Sequence, residues 1–291
     1  MLALYEMISI KAMIGIISIV GVYVLTGLTG MFSLGQAAFM AIGSYVSGIC
    51  VVKLGLPFPI AIIIAIAVAV LIGFIVGLPT MRLRRDYISL ITLGFGEALT
   101  ALLNKLTKYT GGASGFYGIP KLVGFWIVLG STIVAIALVY WFKKSKYGRQ
   151  CIAVKSDELA AKAMGINVTR IKMTAFLFSI ALTAYSGAMY AFYITYVDPS
   201  LFAWKRSADW VIMVFFGGAN SLTGSVFAGF FLTALPEFLR SFSAYRYIVY
   251  AILVLIIINF KPNGLFGNFE LFDLFKKRKK KKNVAVKEEV K

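Results

Sequence analysis

One carboxylate in the sequence stands apart from the other charged groups. Glu97 lies in "LITLGFGEALTALL", eleven residues after Asp86 and beside Gly94 and Gly96. Helical rise puts it about 16 Å into its apolar run. An ionisable group at that depth marks a path for solute or water. Its competing role is to hydrogen-bond a broken helix and hold its shape. Other polar groups sit at two glycine-rich interruptions: Ser33 and Gln36 in "GLTGMFSLGQAAF", and Ser221 in "GGANSLTGSVF". Asn104, Asn220 and Glu237 are further candidates, more naturally structural. All of these offer reversible contact with a polar solute. Covalent and metal chemistry have little to build on. The chain has no His and two Cys, Cys50 and Cys151, far apart in sequence and read as small apolar residues. We therefore expect no catalytic set, no metal site and no cofactor.

These groups must be positioned by helices in a bilayer. The 291 residues are 60% hydrophobic and 14% charged, with mean hydropathy +0.85. Soluble domains carry nearly twice that charge fraction. Apolar runs near span length recur throughout, continuous rather than alternating, which favours helices over a β-barrel. They fall near 10–29, 36–53, 57–79, 86–105, 121–142, 173–197, 207–219, 222–240 and 245–260. The first is a full span without a signal-peptide cleavage site. The expected fold is an all-α, polytopic transmembrane bundle of about nine spans with broken helices.

The net charge of +18 is not a nucleic-acid footprint. Segments 143–172, 261–291 and 82–86 carry net +6, +6 and +2, fourteen of the eighteen. Basic clusters beside spans mark the cytoplasmic side. Placing all three there requires 207–240 to cross twice, breaking at "GGANSL". It puts the N-terminus outside and the C-terminus in the cytoplasm. The expected domain is 1–275, followed by a basic cytoplasmic tail, 276–291, able to meet anionic lipid.

The two interruptions share G-x-x-S-L-x-x-x-x-F: Gly30, Ser33, Leu34 and Phe39, then Gly218, Ser221, Leu222 and Phe227. This fits an internal repeat with broken helices or a chance match. Backbone freed at such breaks must be buried in protein or line a wet cavity. Gly30, Gly35, Gly43, Gly217 and Gly218 fit either a path or close helix packing. "GGASG" at 111–115 reads as an external loop.

The loop 143–172 contains "SDELAAKAMG", one short water-facing helix. Ser156 is the expected N-cap, Asp157 and Glu158 suit the first turn, and Gly165 suits the stop. Leu159 with Ala163, and Ala160 with Met164, form a small apolar face. So short a helix is marginal alone, so it must dock on something.

"GRQCIAVKSDELAAKAMGINVTRIKMTAFLFS" resembles the cytoplasmic coupling loop of ABC importer permeases of the branched-chain amino acid uptake family. "GMFSLGQAAFMAIGSY", "GLPTMRLRRDYISLITLGFGEAL", "GGASGFYGIP", "FFGGANSLTGSVFAG" and "LIIINFKPNGLFG" are similar to that family's blocks, in order, over roughly 15–267. Members usually carry one more span before 10–29. The resemblance implies a type II importer bundle in the plasma or inner membrane. It implies a second, usually paralogous permease, two cytosolic ATP-binding subunits and an extracytoplasmic substrate-binding protein. Asp157, Glu158, Leu159, Ala160, Ala161, Met164 and Gly165 would couple to the ATPases. Ser33, Gly35, Gln36, Phe39, Gly94, Gly96, Glu97, Gly217, Gly218 and Ser221 would form the path or its broken helices. No G-x-x-x-x-G-K-[ST] occurs, so ATP hydrolysis would belong to another chain. The alternative is a self-contained secondary transporter or channel for a small polar solute.

Overall fold

The computed structural model describes residues 2–238, 246–261, 263–267 and 269–270. The expected tail at 276–291 lies outside the described residues. Among the described residues the fold is all-helical, with an isolated bridge between Phe116 and Val197. The long helices are α1 (Leu2–Tyr23), α2 (Gln36–Val52), α3 (Phe58–Thr80), α4 (Arg85–Lys105), α6 (Phe125–Lys144), α9 (Val168–Ile194), α10 (Trp204–Gly217), α11 (Leu222–Phe238) and α12 (Arg246–Phe260). Each of the nine apolar runs thus carries one long helix. Shorter pieces are α5 (Thr107–Thr110), α7 (Lys146–Ser156) and α8 (Glu158–Ala163). The first helix starts earlier than its apolar run and ends in a π-turn, Val24–Thr29.

Among the described residues, five helices are long and apolar enough to cross a membrane: Tyr5–Thr29, Phe58–Thr80, Tyr87–Lys105, Phe125–Lys144 and Val168–Ile194. Gln36–Val52 and Leu222–Pro236 are apolar but shorter. The most apolar, α3, is only 28% buried, whereas the α1 stretch is 89% buried. That ordering follows from lipid being as apolar as a leucine core: helices associate through close packing and hydrogen bonds, not hydropathy. The buried helices accordingly use small and hydroxyl residues. Ser18 on α1 donates to Ser186 Oγ on α9 at 2.9 Å, and Ser186 donates to the Ile14 carbonyl at 2.8 Å. On α2, Gly43 lies against the Ala184 backbone, and Ser44 donates to the Gly187 carbonyl at 2.8 Å. Gly43 is therefore a packing glycine.

The bundle has two unlike ends. One gathers the Gly27–Gly35 break, the Gly218–Ser221 turn between α10 and α11, the start of α4, and the loop 143–172. Residues 263–267 join it: Leu265 N donates to Phe216 O at 2.9 Å and Phe266 N to Gly217 O at 3.1 Å. All described parts of the three basic segments lie at this end. The opposite end carries 107–124 and 195–203, tied by mutual backbone bonds between Phe116 and Val197, 2.7 and 3.2 Å. Beside that bridge the Tyr117 and Tyr196 ring centroids are 4.5 Å apart.

Candidate functional site

The short helix α8 forms as its sequence dictates, with one shift. Asp157, not Ser156, is the N-cap: its Oδ1 accepts from the amides of Leu159 and Ala160 at 2.8 and 3.1 Å. Ser156 instead ends α7 and donates to Ile152 O. At the other end Gly165 N bonds Lys162 O at 3.0 Å and Ile166 N bonds Ala161 O at 3.1 Å. This is the Schellman pattern, and Gly165 supplies its left-handed residue at φ +79°. Asn167 then caps α9 through Arg170 N.

The helix is fastened on one side and bare on the other. Glu158 accepts from Arg85 Nε at 2.9 Å and pairs with Lys172 Nζ at 2.8 Å. Arg85 also donates to the carbonyls of Lys155, at 3.1 Å, and Val154. One carboxylate therefore joins α8 to the first residue of α4 and the second turn of α9. Burial pulls the Glu158 carboxyl up, but the hydrogen bonds of Lys172 and Arg85 outweigh it and leave the group below its ordinary value. Lys172 is 2% exposed, so removing its partner would leave a buried cation. Ala161 is buried beside this clamp. Leu159 and Met164 face away, 81% and 82% exposed, with Ala160 also exposed.

The same loop clamps both glycine-rich breaks. Lys155 Nζ donates to Gly27 O at 2.8 Å and to Asn220 Oδ1 at 2.7 Å. Lys143, at the end of α6, donates to Tyr23 Oη at 2.8 Å, Asn220 O at 2.9 Å and Glu270 at 2.6 Å. Glu270 in turn accepts from Leu222 N at the start of α11. Burial, with Lys143 and Arg85 nearby, holds Lys155 below its ordinary value. The breaks also touch directly: a Cβ on Gly27 would lie 2.8 Å from Ala219 O.

At the breaks the sequence-derived residues are interior. Ser33, Gln36, Phe39, Gly217 and Ser221 are buried. Gln36 Oε1 accepts from Thr183 Oγ1 at 3.2 Å, and Phe39 stacks on Phe95 at 5.1 Å. Gly217 packs against the Gly224 backbone, and Ser221 accepts from Gly224 N at 3.0 Å. Gly218, at φ +114°, faces the backbone of Asn263 and Gly267. The shared pattern does not give shared geometry: α2 begins six residues after Gly30, α11 four after Gly218, and Phe227 is exposed where Phe39 is buried.

Gly94 and Gly96 do not break α4, which is continuous. Its inner side meets the first break: Thr92 Oγ1 accepts from Leu34 N at 3.2 Å, and Gly96 faces Gly35. Glu97 turns the other way. With Leu90, Gly94 and Ala101 it forms an exposed stripe, and it makes no ion pair among the described residues. The structure thus joins the loop to the breaks, and places Glu97 on a separate face of the helix that Arg85 begins.

Residues 4–258 match the family described as branched-chain amino acid transport system, permease component. The chain belongs to this permease family. The high-affinity branched-chain amino acid transport system permease protein LivM of Salmonella typhimurium is 30% identical over 292 residues, covering 89% of this permease and 69% of that protein. LivM of Escherichia coli K12 gives the same identity and coverage. LivH of Escherichia coli K12, a permease protein of a system with the same description, is 26% identical over 149 residues, 50% of this permease and 47% of its own length. No solved structure matches. The permease is a multi-pass membrane transport protein.

Sequence reasoning missed Lys143, Lys155, Lys172 and Arg85 as individual contacts of this permease, having counted them as basic clusters. The available signal was their crowding in and before the short-helix loop. Asp86 and Glu237 were weighed in the sequence, but their side chains lie outside the described residues.

Proposed function

We propose that the chain forms half of the translocation path of an ABC importer for branched-chain or related small amino acids, with a paralogous permease as the other half. Two cytosolic ATP-binding subunits drive it, each receiving one short helix, and an extracytoplasmic binding protein delivers substrate. The bundle is of the type II importer class, with nine spans, its N-terminus outside and the loop end in the cytoplasm. The domain 1–275 ends in a cytoplasmic tail, 276–291.

One observation carries this reading. Leu159 on the six-residue helix and Met164 at its C-cap stand almost fully exposed, while Glu158 is paired to the body and Ala161 is buried. A lone pair of large apolar groups on a water-facing helix suits a partner's pocket. Asp157, Ala160 and Gly165 shape the contact, while Glu158 transmits it to α4 through Arg85. The exposed α4 stripe with Gly94 and Glu97 then lines the path between the two permeases. Gly96 and the buried residues of the two breaks (Ser33, Gly35, Gln36, Phe39, Gly217, Gly218 and Ser221) hold that wall in place.

The test is the double variant Leu159→Asp with Met164→Asp, co-expressed with the ATPase subunits and the paralogue. The expected outcome is loss of ATPase co-purification and of ATP-driven leucine uptake in proteoliposomes, with the permease still inserted. Uphill uptake by the permease alone would show a self-contained transporter and overturn the reading.

A further inference from the structure

A cavity of about 380 Å³ opens between α1, α9, α10 and α11. Its place is the end away from the short helix: Tyr190 lies one turn before the end of α9, and Arg206 lies in the first turn of α10. Its size falls in the lower part of the range for small-molecule pockets, about 300–1,000 Å³. The lining is unusual for a helix bundle in lipid. Lys11, Arg206 and Asp209 all border it, with the buried rings of Tyr190 and Trp210 and the apolar Leu232.

The three charges are poorly satisfied by the protein. None of them forms an ion pair within 4.0 Å among the described residues. The Arg206 guanidinium lies over two rings, 5.2 Å from the Tyr190 centroid and 5.8 Å from that of Trp210. This fixes its plane and leaves its hydrogen-bond donors to a long contact with Leu201 O, 3.5 Å. An oriented guanidinium with spare donors is suited to a carboxylate. Asp209, one turn on, offers an acceptor for a cation. Opposite charges lining one cavity, beside an apolar wall, complement a small molecule carrying both signs and a hydrocarbon side chain.

We propose that this cavity is a binding site for the zwitterion of an apolar α-amino acid. Arg206 and Lys11 hold the carboxylate, Asp209 holds the ammonium, and Leu232 meets the side chain. The site would lodge substrate at the entry end before passage. The assignment rests on the permease reading above and extends it to residues outside the α4 stripe and the breaks.

The experiment uses the assembled transporter, permease with its partner subunits, in nanodiscs without the binding protein. Tritiated leucine binding is measured with the wild type, Asp209→Asn and Arg206→Gln, each scored on assembled complex only. We expect about tenfold weaker binding in each variant, the size of one lost charge-assisted contact. The wild type is also challenged with isocaproate and isoamylamine, which each keep one of leucine's two charges. Neither should compete. Unchanged binding in both variants, or full competition by either analogue, overturns the proposal. A phosphatidylethanolamine headgroup carries the same two charges, so binding is repeated with and without that lipid. Lipid that leucine cannot displace assigns the cavity to the headgroup and overturns it too. ATP-driven leucine uptake is measured in parallel. Uptake without nanodisc binding refutes only this site, whereas no uptake by the complete wild-type system refutes the permease reading.

Discussion

The two ends of the bundle are built from different interactions. At the end that carries the short helix, four basic side chains (Arg85, Lys143, Lys155 and Lys172) connect five stretches far apart in sequence: Gly27, the start of α4, the loop 143–172, Asn220 and Glu270. At the opposite end, 107–124 and 195–203 are joined by the Phe116–Val197 bridge, a pair of tyrosine rings and a long hydrogen bond from Tyr196 Oη to Ser114 O, 3.5 Å. Charge-assisted bonds to carbonyls and carboxylates are stronger and more directional than ring contacts. Displacing α8 would therefore strain α4 and both breaks together, whereas displacing 107–124 would strain mainly 195–203. The contrast teaches that the charge-assisted bonds gather at the end that carries the short helix.

The largest expected effect breaks the network around the short helix at Glu158, the carboxylate that two basic side chains share. Glu158→Gln should destabilise the loop by on the order of 1–3 kcal/mol, discounted for partial exposure, because Lys172 loses its partner. Uptake should fall about tenfold or more, while ATPase co-purification persists through Leu159 and Met164. Retained uptake would mean that α8 moves α4 by another route.

Gly165 sharpens the comparison next. A Cβ there meets nothing within 4 Å, so only its positive φ constrains the residue. Gly165→Val should cost about 1–2 kcal/mol of local strain and lower uptake severalfold. Gly165→Asn, which tolerates that backbone, should largely restore it. Equal loss in both variants would instead point to a steric contact with the partner.

At the end away from the short helix, Gly115→Ala would drive a Cβ to 2.5 Å from the Tyr196 ring. The bridge should loosen, and stimulation of ATP hydrolysis by loaded binding protein should fall severalfold. ATPase co-purification should not change. Loss of that co-purification would show that the two ends are not independent.

The smallest effect is a pH response of the short-helix end. Glu158 lies below its ordinary value when folded, so its contribution is complete above the ordinary carboxylate range and is lost as pH falls through the depressed value. Amide exchange across 157–166 should quicken on acidification below that range. The loop around Gly115, at the opposite end, should respond less.

The helices were legible because apolar run length is a local property. All nine runs returned as helices, and the stop at Gly165 was readable because a left-handed residue after a short helix favours glycine. The N-cap moved by one residue because Ser156 and Asp157 are both competent caps, and only the three-dimensional path of α7 decides between them. The clamp was not legible. Arg85 and Glu158 are 73 residues apart, and Lys155 and Asn220 are 65 apart. A basic cluster reads as a solvated topology signal until its partners are known, which is why the buried Lys172 went unseen. The spacing of the two interruptions suggested kinship, yet it hid the simpler fact that they touch.

The burial of α1 bears on how the chain is made. This helix leaves the ribosome before α6, α9, α10 and α11, the neighbours that enclose it. Until they arrive, the serines and glycines that suit it to the centre face lipid. The stretch is apolar enough to enter the bilayer by itself, with mean hydropathy 2.2, yet its packing is complete only once the later segments wrap it.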